Sequence, residues 1–142
     1  MPSFSHSVEL AQPPDAVFPW LLDQDKVPRW TSDLVRYEAD ATLQAGAHVT
    51  QVLKLGSSEL PLNLELIRYE PPRAVETRTE TNGVKLTIAY ALEPAGAGTR
   101  LTQSLEAKAG SLTARMLIPV VQGRLEKKIV EDLEKLREVL GG

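Results

Sequence analysis

The sequence predicts an α+β domain built from one strand, two short helices, a run of antiparallel strands and a long C-terminal helix. Two observations carry this prediction. From Phe4 to Ala107 the chain divides into segments in which apolar and polar residues alternate, separated by glycine, proline and asparagine. After Ala107 the period changes: Leu125, Ile129, Leu133, Leu136 and Leu140 recur at three- and four-residue steps with Glu and Lys between them, the pattern of an amphipathic helix.

The chain's 142 residues suit one domain with one core, and no repeat, low-complexity tract or long linker divides residues 1–142. A formal net charge of −3 offers no basic field for phosphate, so nucleic acid is not an expected partner. The absence of cysteine excludes disulfides, thiolate chemistry and Cys-based zinc sites. Residues Met1 to Leu10 lack the charged and apolar regions of a signal peptide, and no run approaches the roughly 18 apolar residues of a membrane span. A soluble, cytoplasmic protein without membrane insertion is expected, as a monomer or a homodimer.

Phe4 to Ala11 reads as a half-buried strand with Phe4, His6, Val8 and Leu10 inside. Gln12-Pro13-Pro14-Asp15 ends it and opens a short helix with Ala16, Val17, Trp20 and Leu21 at helical spacing; a second helical turn follows over Asp25 to Trp30, cut by Pro28. Trp20 and Trp30 are expected to pack this elbow. Strands are then predicted over Leu34 to Ala41, Ala47 to Leu55, Leu60 to Tyr69, Ala74 to Thr81, Val84 to Leu92 and Thr99 to Ala107. Asn82-Gly83 is the most specific break, since it supplies both positive φ angles of a type I′ hairpin turn. Such short loops require antiparallel neighbours.

The final segment, Ser111 to Leu140, has two unlike halves. Leu112, Met116, Leu117, Ile118, Val120 and Val121 make its first half apolar on more than one side, and Pro119 is expected to bend it. That half is expected to face a cavity between helix and sheet. In the second half, Lys127, Lys128, Glu131, Asp132, Glu134, Lys135, Arg137 and Glu138 read as a solvated face, with pairs such as Lys127 with Glu131 worth about 0.2 to 0.5 kcal/mol each. Burial of the five apolar residues opposite, at about 1.5 to 3 kcal/mol each, outweighs them. Gly141 is the expected stop.

Alternation also predicts the inner surface. Leu60, Leu62, Leu64 and Leu66 share one face, as do Val84, Leu86, Ile88, Tyr90 and Leu92, then Val49, Gln51, Leu53 and Leu55, and finally Leu101, Gln103 and Leu105. His6, Gln51, Thr77, Thr79, Tyr90 and Gln103 are polar insertions in this apolar lining, and each needs a partner from protein, water or ligand. Arg115 is either a carboxylate anchor at a cavity mouth or a side chain reaching solvent.

Little here points to catalysis. Two histidines and no cysteine do not supply the ligand cluster of a metal site, and His48 has the outward parity of its strand. There is no Gly-x-Ser-x-Gly elbow, no Walker loop and no G-x-G-x-x-G. Glu65, Glu76, Glu80 and Glu106 are predicted to face outward, which leaves His6 and Tyr90 as the candidates for proton transfer.

Several stretches resemble the START/Bet v1-like (SRPBCC) superfamily, in particular its polyketide cyclase/dehydrase-like branch. They are Pro14-Asp15-Ala16-Val17-Phe18 through Asp23 to Trp30, Tyr69-Glu70-Pro71-Pro72-Arg73, and Gly98-Thr99-Arg100-Leu101-Thr102, followed by the terminal helix. The resemblance implies a helix-grip fold: a seven-stranded antiparallel sheet wrapped around the C-terminal helix, enclosing a cavity for a lipid, polyketide or sterol-like compound. It implies no cofactor and no shared catalytic set.

The leading expectation is binding of a hydrophobic small molecule, for transport or sequestration. Leu62, Leu64, Leu86, Ile88, Met116 and Val120 would form the wall, and Gln51, Thr77, Thr79, Tyr90, Gln103 and Arg115 its polar points. The alternatives are a polyketide cyclase or dehydratase using His6 or Tyr90, and a protein-interaction module whose vestigial cavity is filled by its own side chains.

Overall fold

The computed structural model describes residues 3–81 and 83–141. Strand β1 (Ser3–Leu10) leads into a single-turn helix, α1 (Pro14–Val17), and two 3-10 turns, Phe18–Trp20 and Val27–Arg29. Strands β2 (Leu34–Ala39), β3 (His48–Leu55), β4 (Ser58–Glu70), β5 (Ala74–Thr81), β6 (Val84–Ala95) and β7 (Gly98–Ala109) follow, and α2 (Leu112–Val139) ends the fold. Proline makes the elbow short: Pro14 starts α1, and Pro19 and Pro28 lie early in the two 3-10 turns.

All seven strands form one antiparallel sheet in the order β1-β7-β6-β5-β4-β3-β2. Because the elbow carries the chain from one sheet edge to the other, β2 to β7 can return as a meander that closes beside β1. Two-residue turns join β3 to β4, β5 to β6 and β6 to β7, with Leu55 opposite Ser58, Thr81 opposite Val84 and Ala95 opposite Gly98. Gly83 has the positive φ, +79°, that the turn chemistry requires, while Asn82 lies outside the described residues. Such tight turns fix register, so the predicted inner faces hold among the described residues, the side chain of Leu55 lying outside them. Leu60, Leu62, Leu64 and Leu66 are buried on β4, and Leu101, Gln103 and Leu105 on β7. Register shifts interrupt β2 at Leu34/Arg36 and β4 at Leu66/Arg68, and the second returns Tyr69 to the inner face, edge-on to Phe18 at 5.5 Å between ring centres.

Helix α2 packs chiefly on β7, β1 and β6. Ser111 caps it by accepting from the Ala114 N–H at 3.1 Å, and it continues through Pro119. Leu125, Ile129, Leu133, Leu136 and Leu140 are buried as predicted. The first half departs from expectation: it buries Ala114 and Ile118 and packs Val121 partly against the core, while Leu112 and Met116 are each 75% exposed, Val120 63% and Leu117 42%. Met116 and Val120 are therefore not on the wall of the cavity between sheet and helix, and Arg115 faces solvent. Apolar character in this half does not translate into burial, because the sheet offers one face and can cover only one stripe of a helix. Met116→Gln and Val120→Gln are accordingly expected to change unfolding free energy by no more than about 0.5 kcal/mol in urea titrations. A loss near ~2 kcal/mol would mean that this face is covered in solution.

Candidate functional site

A partly open cavity lies between the concave sheet face, the elbow and the second half of α2. It has a volume of about 70 Å³ as room for water centres, several times the roughly 10–15 Å³ that one water needs. The strands contribute Val49, Gln51, Leu53, Leu62, Leu64 and Thr77, then Ile88, Tyr90, Gln103 and Leu105. Leu21, Leu22, Val27, Trp30 and Thr31 close one side from the elbow, Tyr37 comes from β2, and Leu125, Lys128, Ile129 and Asp132 face them from α2. Of the residues expected at a site, the structure thus brings together Gln51, Leu62, Leu64, Thr77, Ile88, Tyr90 and Gln103.

The others lie elsewhere. Leu86 and Thr79 are paired across β5 and β6 and buried in the core away from this wall, because their strands continue past the cavity beneath the start of α2. His6 stands opposite Gln103 on the edge strand β1, with Nε2 3.7 Å from Glu134 Oε2, so its ring is interposed between β1 and α2 and does not line the cavity. Trp30 does more than pack the elbow: 4% exposed, it lines the cavity while its indole N–H donates to Trp20 O at 2.9 Å. Trp20 instead carries Arg29 over its ring at 4.9 Å.

Two residues of the predicted solvated face belong to the site. Lys128 and Asp132 have side chains only 12% and 7% exposed and form an ion pair at 2.6 Å one turn apart. Asp132 Oδ1 accepts from the Ser32 N–H at 2.9 Å, and Lys128 Nζ donates to Ser32 O at 2.5 Å. The pair thereby clasps both backbone groups of Ser32, in the segment after the elbow, onto α2. Among the described residues the remaining carboxylate–cation pair within α2 joins Glu134 and Arg137, rather than Lys127 and Glu131.

The polar groups on the wall differ in how far they are committed. Tyr37 donates to Leu22 O at 2.8 Å and Thr77 to Ile88 O at 3.1 Å. Gln103 is 8% exposed, and its Oε1 has no partner among the described residues. Burial, and after it the negative charge of Asp132, holds the Tyr90 phenol well above the usual range. Tyr37 is raised too, by burial first and then by Tyr90 and Asp23. Both phenols stay protonated at neutral pH and act as neutral hydrogen-bonding groups.

The arrangement can hold an apolar body against leucine, isoleucine and tryptophan and meet a polar end at Gln103 and Tyr90. No helix among the described residues is long and apolar enough to cross a membrane. The fold is shared by solved structures of low sequence identity. The protein TTHA0849 from Thermus thermophilus superposes with a TM-score of 0.80 at 15% identity, over 98% of this chain and 97% of that one. Ara h 8.0201 gives 0.76 at 12% identity, over 98% and 97%. The di-domain ARO/CYC StfQ from the steffimycin biosynthetic pathway gives 0.73 at 12% identity, over 96% of this chain and 49% of that one. No curated protein sequence matches the chain. The family model described as polyketide cyclase / dehydrase and lipid transport matches residues 1–141. With the seven-stranded sheet gripping α2, this match establishes that the chain belongs to the polyketide cyclase/dehydrase and lipid transport family, within the START/Bet v1-like superfamily.

Proposed function

We propose that this protein binds a hydrophobic small molecule between the concave sheet and the second half of α2, and that it shelters or carries that molecule. The observation that supports this reading is the cavity itself, an apolar space inside the domain with a few convergent polar groups. Its volume sets a condition: about 70 Å³ admits a few waters, so a larger guest must part the walls. The wall best suited to yield is the elbow, where Leu21 and Leu22 lie between two short 3-10 turns, Val27 sits in the second of them, and the tie from the sheet to Leu22 is the single Tyr37 hydroxyl.

A second reading, a cyclase or dehydratase, is favoured by Asp132. The outward parity of the strand glutamates leaves the sheet without an inward carboxylate, but α2 supplies one beside Lys128 and near Tyr90. Tyr90 could there donate a proton or a hydrogen bond; as a neutral phenol it is no base.

Native mass spectrometry of freshly purified protein, followed by denaturation and identification of what is released, tests both readings. The expected result is one discrete adduct per chain, of an apolar compound, released unchanged. Incubation of the same protein with a hydroxylated polyketide-like compound, followed by release of a product lighter by one water, would favour the dehydratase. A bare mass, together with failure of apolar dyes to bind saturably, would overturn the binding reading in favour of an interaction module with a filled core.

A further inference from the structure

We infer that the polar end of the ligand is an uncharged hydroxyl, phenolic or alcoholic, seated against Gln103 and Tyr90, and that the cavity discriminates against carboxylates and phosphates. The inference rests on the proposal that the cavity binds a small molecule. Among the described residues the only charged side chains on its wall are Lys128 and Asp132, and both are engaged with each other and with Ser32. An ammonium has three donors. Lys128 directs them to Asp132 Oδ2 at 2.6 Å, Ser32 O at 2.5 Å and Ser32 Oγ at 3.4 Å. Asp132 spends one oxygen on this ammonium and the other on the Ser32 N–H.

The pair is therefore neutral as a unit, and a ligand carboxylate would enter as a surplus buried charge without a free cation to meet it. It would also lie in the field of Asp132, which is felt as far as the Tyr90 phenol. The capacity left open is of another kind. Gln103 Oε1 is a buried acceptor on the wall with no partner among the described residues, and Tyr90 is its cross-strand neighbour. An ionised carboxylate has no proton to offer that oxygen, whereas a hydroxyl both donates and accepts. The hydroxyls of Tyr37 and Thr77 already donate to Leu22 and Ile88, and neither Tyr90 nor His6, the residue opposite Gln103 on β1, makes a hydrogen bond to this oxygen.

The test compares three probes with one bicyclic body, naphthalene, 2-naphthol and 2-naphthoate, by calorimetry or by displacement of an apolar dye near neutral pH, where only the naphthoate is charged. The naphthol is expected to bind roughly three- to tenfold tighter than naphthalene, and the naphthoate at least about tenfold more weakly than the naphthol. In Gln103→Leu the advantage of naphthol over naphthalene should vanish while naphthalene still binds, which shows that the variant is folded. Naphthoate binding as tight as naphthol, or a naphthol advantage that survives Gln103→Leu, would overturn the inference and leave the binding proposal standing. Saturable binding of none of the three would overturn the binding proposal itself, and this inference with it.

Discussion

Lys128→Met is expected to cost about 3 to 5 kcal/mol of unfolding free energy, far more than a substitution in a solvated row of charges would. The variant leaves the buried Asp132 carboxylate stripped of its cation, with one hydrogen bond from the Ser32 N–H remaining. It also removes the donor that holds Ser32 O, so the segment after the elbow loses half of its clasp on α2. Desolvation of an unpaired carboxylate dominates that sum, which makes the double variant Lys128→Met/Asp132→Leu informative. With both charges gone the penalty should largely disappear, although Asp132 is the worse residue to leave alone. Urea unfolding followed by tryptophan fluorescence reads the midpoint at constant slope. A cost below about 1 kcal/mol for Lys128→Met would show that the pair is hydrated in solution, like an ordinary surface pair.

The charge run on α2 hides this pair because composition averages over faces. Eight charged residues between Lys127 and Glu138 look like one solvated surface, yet Lys128 and Asp132 each stand three residues after a stripe residue, Leu125 and Ile129. That step places them at the border of the buried stripe, on the side turned toward Ser32. The spacing is visible in the sequence; the existence of a loop carbonyl and N–H at that border is not. The reverse error occurs at Met116 and Val120, where apolar side chains lie outside every contact the sheet can offer. Alternation succeeds on the strands for a physical reason. Two-residue hairpins leave no slack between neighbours, so parity set at a turn persists along the strand until a register shift such as that at Leu66/Arg68. Tyr90, Gln103, Gln51 and Thr77 can therefore be placed inside, whereas the stretch of each strand that the cavity spans depends on where α2 lies, and this separates Leu86 and Thr79 from Ile88 and Thr77.

Gly98→Ala is the second substitution expected to damage the fold severely, at about 3 kcal/mol, the upper range for overpacking. Gly98 starts β7 in the Gly96-Ala97-Gly98 break, where sequence alone shows only a turn. Its φ is not among the positive ones, so its backbone conformation is open to alanine and the objection is one of space. A Cβ there would sit 2.0 Å from Leu10 O, 3.1 Å from Leu10 C and 3.3 Å from Ala11 C. Those atoms are backbone and cannot turn aside as a flexible side chain would, so the end of β1 must retreat. Its retreat strains three ties at once: the Leu10–Thr99 pairing, the Thr99 hydroxyl on Gln12 O at 2.7 Å, and the Gln12 amide on Leu140 O at 3.2 Å, which joins β1 to the end of α2. Gly96→Ala is the matched control: its φ of +59° makes alanine costly by about 1 to 2 kcal/mol, but nothing stands within 4 Å of the added Cβ. If Gly98→Ala proved no worse than Gly96→Ala, β1 would be free to shift at little cost and the packing of its end could not be what seats α2. Because none of these atoms belongs to the cavity wall, the folded fraction of Gly98→Ala should keep its affinity for 2-naphthol, so a parallel loss of affinity would show that the seat of α2 also shapes the site.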